Sequence, residues 1–189
     1  KLIVSTDNKK IAEESKKAGA LVPFIRPKNL SKDTTPTLPV LKHAVNFVEK
    51  KDDVDIDWIL TLQPTSPLRT ATDIKRCINY VYKNNNIDSV VSVSKVIHSH
   101  PVFLKLIKKK YLKPYLSKTK FFRRQDVKPD FFRSNGAIYL TKKDVILKNK
   151  NNLIYGKKTI PYLMDEKKSI DIDTDIDFKL CEILLNEKK

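Results

Sequence analysis

Short apolar runs alternate with amphipathic stretches along most of the chain. Runs of strand length occupy residues 2–5, 20–25, 55–62, 88–94, 137–140 and 159–163. Apolar residues recur with helical spacing within residues 8–18, 41–48, 71–84 and 175–184, where Ile176, Leu180, Ile183 and Leu184 should face inward. Because strands that alternate with helices form βαβ units, the pattern predicts an α/β fold with a mostly parallel sheet and helices on both faces.

The most informative stretch joins an apolar strand to a polar loop that contains two prolines. Trp58–Leu62 has the length and residue content of a strand buried on both faces. The prolines of Gln63–Arg69 fix the backbone there, so this loop should be stiff. Thr70 and Asp73 have the spacing of a capping box at the start of a helix. Strand, rigid loop and helix in this order favour a ligand-binding loop at the carboxyl end of a strand; the alternative is a purely structural turn.

The stretch from Lys95 to Arg124 breaks the alternation. Its apolar residues stand among many lysines: Leu104, Leu106, Ile107, Tyr111, Leu112, Tyr115 and Leu116. This pattern favours a hairpin or arm that stands off the sheet, with Lys108–Lys110 as its turn. Because exposed apolar segments usually need a partner, we interpret residues 95–120 as a dimerisation arm; a plain surface excursion is the alternative.

The formal net charge of +16 suggests nucleic acid as a partner, but the distribution of the charge does not support it. Nearly all of the excess is lysine spread along the chain, without a basic helix or an RNA-binding aromatic motif. No apolar run approaches the length of a membrane span and no signal-peptide pattern opens the chain, so we expect a soluble, cytoplasmic protein. Cys77 and Cys181 lack metal-ligand spacing and should be buried free thiols.

Arginine, glutamine and glycine are rare in this chain, so their positions are informative. The arginines are Arg26, Arg69, Arg76, Arg123, Arg124 and Arg133. All but Arg76 fall in predicted loops, where a planar guanidinium is suited to carboxylate or phosphate. The two glutamines, Gln63 and Gln125, lie in the same loops. Gly136 is expected at a bend or at a close approach of backbone to ligand.

Two carboxylates follow an alternating pattern near the end of the chain. In Ser169–Thr174, apolar and acidic residues alternate, so Asp171 and Asp173 should point to the same side of an extended segment. Two like charges on one side need a cation between them. A lysine is one candidate, but Mg²⁺ suits the pair better, because it prefers hard oxygen ligands and takes one or two carboxylates together with substrate phosphates.

Taken together, six segments resemble the cytidylyltransferases that activate sialic acid and related nonulosonic acids, the acylneuraminate cytidylyltransferase family. They are Val4–Asp7, Arg26–Pro27 with Leu30–Asp33, Leu62–Arg69, Arg123–Asp126, Arg133–Tyr139 and Ser169–Thr174. The segments occur in the family's order and extend over nearly the whole chain. The resemblance implies a Rossmann-like nucleotidyltransferase domain over residues 1–189, with the arm within it.

The resemblance also implies a reaction and a set of residues. CTP and a nine-carbon 2-keto sugar acid would give the CMP-sugar and pyrophosphate, with Mg²⁺ as cofactor and a homodimer as the assembly. Arg26 and Thr37 match contacts to the cytidine part. Asp171 and Asp173 match the metal carboxylates, and Arg124 matches an arginine beside the sugar carboxylate, which completes the catalytic set. The other positions matched to the sugar acid are Gln63, Gln125, Arg133, Asn135 and Tyr139.

One departure from the family weakens the prediction of activity. The family begins with a strand, a phosphate-binding loop and a helix ahead of the segment that matches Lys1, and this chain as written lacks them. We therefore expect poor binding of the CTP phosphates. Three classes stay open at this point: an active cytidylyltransferase, an inactive homologue kept for dimerisation or sugar binding, and a basic nucleic-acid-binding protein. The motifs do not distinguish neuraminate, legionaminate and pseudaminate, whereas the eight-carbon acid Kdo is expected to be a poor substrate.

Overall fold

The structure is a computed structural model that describes residues 1–97, 99–116, 123 and 126–187. The chain forms two compact units. Unit 1 comprises Lys1–Leu60, Asn86–Ser89 and Leu140–Thr159, and unit 2 comprises Thr61–Asn85, Val90–Tyr139 and Ile160–Lys189. Arg124 and Gln125, two of the predicted substrate-binding residues, lie outside the described residues.

Helices and strands alternate as the hydrophobic pattern predicts, and the α/β class is confirmed. The helices are α1 (Lys9–Lys17), α2 (Thr37–Asp52), α3 (Ala71–Lys83), α4 (Lys143–Lys148) and α5 (Asp175–Asn186). The strands are β1 (Trp58–Thr61), β2 (Ser89–Lys95), β3 (Lys105–Lys108), β4 (Tyr111–Pro114), β5 (Phe132–Lys142) and β6 (Thr159–Leu163). A four-stranded sheet has the order β1-β5-β2-β6, and β3 pairs with β4 in a separate hairpin. No helix in the described part of the chain is both long and apolar enough to span a membrane.

Side-chain caps explain where three of the helices begin. The Asn8 side chain accepts hydrogen bonds from the first turn of α1. Thr70 and Asp73 form the predicted capping box of α3, and Thr174 and Asp177 form an equivalent box at α5. In each box the hydroxyl and the carboxylate satisfy backbone N–H groups that have no partner within the helix.

The neighbouring strands β2 and β5 carry several fully buried apolar residues. Val90, Ala137 and Ile138 are fully buried. Cys77 of α3 and Cys181 of α5 are buried and free, as the sequence predicts. Burial raises the pKa of the Cys77 thiol to about 12, and the charge of Asp73 adds to the increase. These thiols therefore serve as small apolar groups in the packing.

The two predicted strands near the amino terminus are reduced to a single parallel bridge between Ile3 and Leu21. The backbone N–H of Val4 donates to Leu21 O, and that of Leu21 donates to Leu2 O, each at 2.9 Å. Pro23 has no N–H to continue the ladder, which explains why the pairing stops.

The predicted burial of Trp58–Leu62 on both faces is wrong. All four residues of β1 are half-buried, because β1 lies at the end of the strand order rather than within the sheet. The Lys142 ammonium lies 5.6 Å from the centre of the Trp58 ring, where it covers part of the exposed aromatic face.

The inward face predicted for α5 is also wrong. Ile176 is 77% exposed and Ile183 55% exposed, and the helix buries Cys181 instead. Phe178 and Leu185 are exposed as well, so apolar residues occur on more than one side of this helix. When apolar positions surround a helix, their spacing does not determine which side is buried.

The expected arm is a two-stranded hairpin. Strands β3 and β4 pair antiparallel from Lys105 opposite Pro114 to Lys108 opposite Tyr111. Lys109 and Lys110 form the turn, and Lys109 has a φ of +57°. The hairpin leaves Ile107 79% and Leu112 68% exposed. The hairpin itself is therefore confirmed, whereas its role in dimerisation stays a prediction.

Candidate active site

Within unit 2, the loop Gln63–Arg69 is held in shape by its own arginine. One guanidinium nitrogen of Arg69 donates to Gln63 O and to Ser66 O, each at 2.7 Å. Burial lowers the pKa of this guanidinium, which nevertheless remains charged at any physiological pH. The sequence suggested that Arg69 binds an anion. In the structure its hydrogen bonds go instead to backbone carbonyls of its own loop.

Three polar side chains of unit 2 converge on the backbone of Gly136. Gly136 has a φ of +77°, and a Cβ at this position would lie 2.7 Å from Gln63 Oε1. The same Cβ would lie 3.0 Å from both Asp171 Oδ2 and Ser66 Oγ. The neighbours of Gly136 are therefore protein side chains, and the expected close approach of its backbone to a ligand stays a prediction.

The segment carrying Asp171 is fastened to the proline-containing loop. The backbone N–H of Ile172 donates to Thr65 O at 2.8 Å. Buried Ser66 has one hydroxyl hydrogen and two acceptors in reach, Asn135 O at 3.3 Å and Asp171 Oδ1 at 3.5 Å. Ser66 can therefore turn its hydroxyl toward the Asp171 carboxylate without moving its backbone.

A buried polar network fixes the position of Asn135. Ser92 Oγ donates to Asn135 Oδ1 at 2.6 Å, and Asn135 Nδ2 donates to Ser169 Oγ at 2.8 Å. Ser169 Oγ in turn donates to Asp165 O at 2.7 Å. Asn135 is 1% exposed, so the structure places its side chain among these partners and away from solvent.

The other predicted residues of unit 2 are more accessible. Arg133 is exposed and belongs to β5, which corrects its placement in a loop. Tyr139, further along β5, is half-buried. Asp173 is exposed, and its backbone N–H donates to Asp177 Oδ2 at 3.2 Å in the cap of α5. The structure brings Gln63 and Asp171 together at Gly136. Among the described residues, no hydrogen bond or ion pair joins Arg133, Tyr139 or the Asp173 side chain to them.

The predicted cytidine-binding residues belong to unit 1. Arg26 Nε donates to Ser31 Oγ at 3.2 Å, and the guanidinium lies 3.5 Å from Asp7 Oδ1. Thr37 is the first residue of α2 and is half-buried. Ser5 Oγ, in the Val4–Asp7 motif, is buried and has no hydrogen-bond partner among the described residues.

Sequence reasoning did not identify several polar residues of unit 2 as partners of one another. Ser66, Asp73, Ser92, Tyr162 and Ser169 are buried, and Lys168 is half-buried. The position of Ser66 between two prolines was a usable signal, and Asp73 was marked only as a cap of α3. Nothing in the sequence marks the other residues, because burial of a polar side chain depends on partners that are distant along the chain.

Across the described ranges no three His, Cys, Asp or Glu side chains are grouped to hold a metal. Asp171 and Asp173 supply the hard carboxylate oxygens that Mg²⁺ prefers, so a Mg²⁺ site at this pair stays a prediction. Two carboxylates leave most of an octahedral shell to water and substrate phosphates, which is the usual manner of Mg²⁺ binding.

Comparison with known proteins identifies the family of the chain. A family model described as cytidylyltransferase matches residues 1–189. The CMP-N,N'-diacetyllegionaminic acid synthase of Legionella pneumophila is 33% identical over 97% of this chain and 77% of its own length. The N-acylneuraminate cytidylyltransferase of Streptococcus agalactiae is also 33% identical, over 94% of this chain and 40% of its own length.

A solved structure supports the fold. The CMP:2-keto-3-deoxy-manno-octonic acid synthetase complexed with CTP matches with a TM-score of 0.63 at 14% identity, covering 99% of this chain and 81% of that one. At this identity the likeness concerns the fold alone. The match over the full chain and the identity to two curated relatives establish the family that the motifs indicate: the chain belongs to the cytidylyltransferases, a family of nucleotidyltransferase enzymes.

Proposed function

We propose that this cytidylyltransferase transfers CMP from CTP to a nonulosonic acid and releases pyrophosphate. The observation that carries the proposal is the convergence of Gln63, Ser66 and Asp171 on the backbone of Gly136. It places an amide that can bind sugar hydroxyl or acylamino groups beside a carboxylate that can bind a metal. Two relatives at 33% identity are named for a legionaminic acid and for an acylneuraminic acid.

In the proposed reaction, the anomeric hydroxyl of the sugar acid attacks the α-phosphate of CTP in line, and pyrophosphate leaves. Asp171 and Asp173 would hold Mg²⁺, which offsets the charge on the phosphates when bound. Gln63 orients the acid by donating and accepting hydrogen bonds. Ser66 holds the Asp171 carboxylate, and Gly136 leaves the space in which Gln63 and Asp171 meet.

Other parts of the proposal rest on the sequence motifs. Arg124 offers a planar, bidentate partner for the carboxylate of the acid, and Gln125, Arg133 and Tyr139 complete its surroundings. Arg26 and Thr37 bind the cytidine part. A homodimer formed through the hairpin is part of the proposal, as is a cytoplasmic location, which the free buried thiols Cys77 and Cys181 favour.

The test is a pyrophosphate-release assay on the protein expressed from its complete reading frame. It contains CTP and Mg²⁺ and compares N-acetylneuraminate, legionaminate, pseudaminate and Kdo. We expect release with at least one nine-carbon acid and little with Kdo. Omission of Mg²⁺ and replacement of CTP by ATP are the controls. A preference for Kdo, or no release with any acid, would contradict the proposal.

A further inference from the structure

We propose that Asp73 and Lys168 are positioning residues for the Asp171 carboxylate, and that their ion pair tunes the metal affinity of the site. The inference rests on the proposed function, in which Asp171 is a metal ligand. Neither Asp73 nor Lys168 belongs to the set of residues that the motifs assign to substrate or metal.

Asp73 is a buried carboxylate with partners from three parts of unit 2. It is 3% exposed. It accepts hydrogen bonds from the backbone and hydroxyl of Thr70 at 2.8 and 2.6 Å, and from Tyr162 Oη at 2.9 Å. Lys168 Nζ lies 3.2 and 3.3 Å from its two oxygens. A helix cap needs only the Thr70 contacts, so the tyrosine and the lysine serve another purpose.

Two contacts hold the Asp171 segment, one to the first turn of α3 and one to the proline-containing loop. Lys168 precedes Asp171 by three residues and is bound to Asp73 in the first turn of α3. Ile172 follows Asp171 and donates to Thr65 O, inside the loop, at 2.8 Å. Asp171 therefore lies on a short span that is fixed at both ends, facing Ser66 and Gly136.

Loss of the Lys168 contact should leave the unit folded but hold the Asp171 segment less firmly. Asn135 still binds Ser169 and Thr65 still binds Ile172, so the backbone keeps its course. With one contact fewer on the amino-terminal side, the Asp171 carboxylate should sample more positions relative to Gln63 and Ser66. Residues that orient a metal ligand commonly affect metal affinity by about 10-fold to 100-fold when they are removed.

The experiment compares Lys168→Met with a matched control, Lys143→Met. Lys143 belongs to unit 1, is half-buried and pairs with Glu49 and Asp55, so its removal also breaks a lysine–carboxylate pair. Two quantities are measured in the full-length protein: the Mg²⁺ concentration that half-saturates pyrophosphate release, and the affinity for Mn²⁺ in the presence of CTP by electron paramagnetic resonance.

We expect Lys168→Met to weaken both metal dependences by about 10-fold, with kcat at saturating metal little changed. Lys168→Arg should restore them, since a guanidinium can bind both oxygens of Asp73. Tyr162→Phe, which removes one hydrogen bond from Asp73, should shift them in the same direction by a smaller factor. Lys143→Met should lower the melting temperature and leave both metal dependences unchanged.

Equal Mn²⁺ affinity in the natural protein and in Lys168→Met would overturn the inference, as would an equal shift in Lys143→Met. The absence of pyrophosphate release from the natural protein would instead contradict the proposed function. The Mn²⁺ affinities of the natural protein and Lys168→Met would then still test the positioning role of Lys168, because metal binding needs no turnover. A natural protein that binds no Mn²⁺ in the presence of CTP would overturn both the inference and the proposed function.

Discussion

At the scale of single residues, Gly136 combines two constraints that can be separated by experiment. Its φ of +77° is unfavourable for other residues, and an added Cβ would lie 2.7 Å from Gln63 Oε1. Gly19 has a similar φ of +86°, but a Cβ there would meet nothing within 4 Å. The two glycines therefore form a matched pair in which only one adjoins the site.

We predict that Gly136→Ala and Gly19→Ala both lower the free energy of unfolding, by about 1–3 kcal/mol each, because both place alanine in a strained backbone conformation. Only Gly136→Ala should also raise KM for the sugar acid, since it displaces Gln63 and Asp171. Urea unfolding and steady-state kinetics measure the two effects. An unchanged KM in Gly136→Ala would show that the convergence of side chains is not used in binding.

Asp73 should make the stability of the fold depend on pH in the acidic range. Burial alone would raise the pKa of this carboxyl, but hydrogen bonds from Thr70, Tyr162 and Lys168 lower it to about 2 from an ordinary 3.8. A depressed pKa stabilises the fold above the unfolded-state value, and the contribution is lost as the pH falls toward 2. The shift corresponds to about 2 kcal/mol.

Asp73→Asn should remove this component. The difference in the free energy of unfolding between the natural protein and the variant should have its largest value at pH 5. It should decrease as the pH falls from 4 to 2. Chemical denaturation across this range measures it, and the subtraction cancels the other carboxylates. A difference that stays constant with pH would mean that the charge of Asp73 is not stabilising.

Among the residues that meet at Gly136, those that the sequence singled out are scarce in the chain or follow a regular pattern. Gln63 and Gly136 were singled out by their rarity, and Asp171 by alternation with apolar neighbours. Arg69 was misinterpreted because its guanidinium satisfies loop carbonyls, a role that composition does not reveal. Asp73 was recognised as a cap but not as a buried partner of Lys168, since that contact spans 95 residues of the chain.

At the scale of elements, the caps and the alternation of helix and strand were predictable from the sequence, and the burial of faces was less so. The capping boxes of α3 and α5 lie where the spacing of Thr and Asp places them. The burial of α5 and of β1 depends on which elements pack against them. Local pattern carries no information about those elements.

The hairpin formed by β3 and β4 should be required for dimerisation. A two-stranded hairpin with both strands exposed is marginal alone and gains stability from a partner. We predict that the double substitution Ile107→Ser and Leu112→Ser converts the dimer to monomer, since each removes an apolar side chain worth about 1.5–3 kcal/mol when buried. Sedimentation velocity measures the change.

Tyr82→Ser is the control, because Tyr82 on α3 is 79% exposed, the same fraction as Ile107. It should leave the sedimentation coefficient unchanged. If the natural protein sediments as a monomer at every accessible concentration, or if the double variant remains a dimer, the hairpin does not form the interface.

At the scale of the whole molecule, we expect the net charge of +16 to raise the rate at which substrates reach the protein rather than to determine which substrate binds. CTP and a sugar acid are both anions, so the field of the protein should raise their association rates. We predict that kcat/KM for CTP falls by about 10-fold or more between low and high salt, whereas kcat changes little. Steady-state kinetics across a NaCl series, with Mg²⁺ held constant, measure this. A kcat/KM that is independent of salt would show that the lysines do not steer the substrate.

Arg69 fixes the shape of the Gln63–Arg69 loop in the folded protein before any ligand binds. Its two hydrogen bonds to Gln63 O and Ser66 O, together with Pro64 and Pro67, leave the loop few conformations in the absence of ligand. Ordering a flexible backbone costs about 1–2 kcal/mol of conformational entropy per residue. In this loop the entropy is lost during folding, so the ligand binds to a preorganised surface. Differences in affinity between sugar acids should therefore appear mainly in their rates of dissociation.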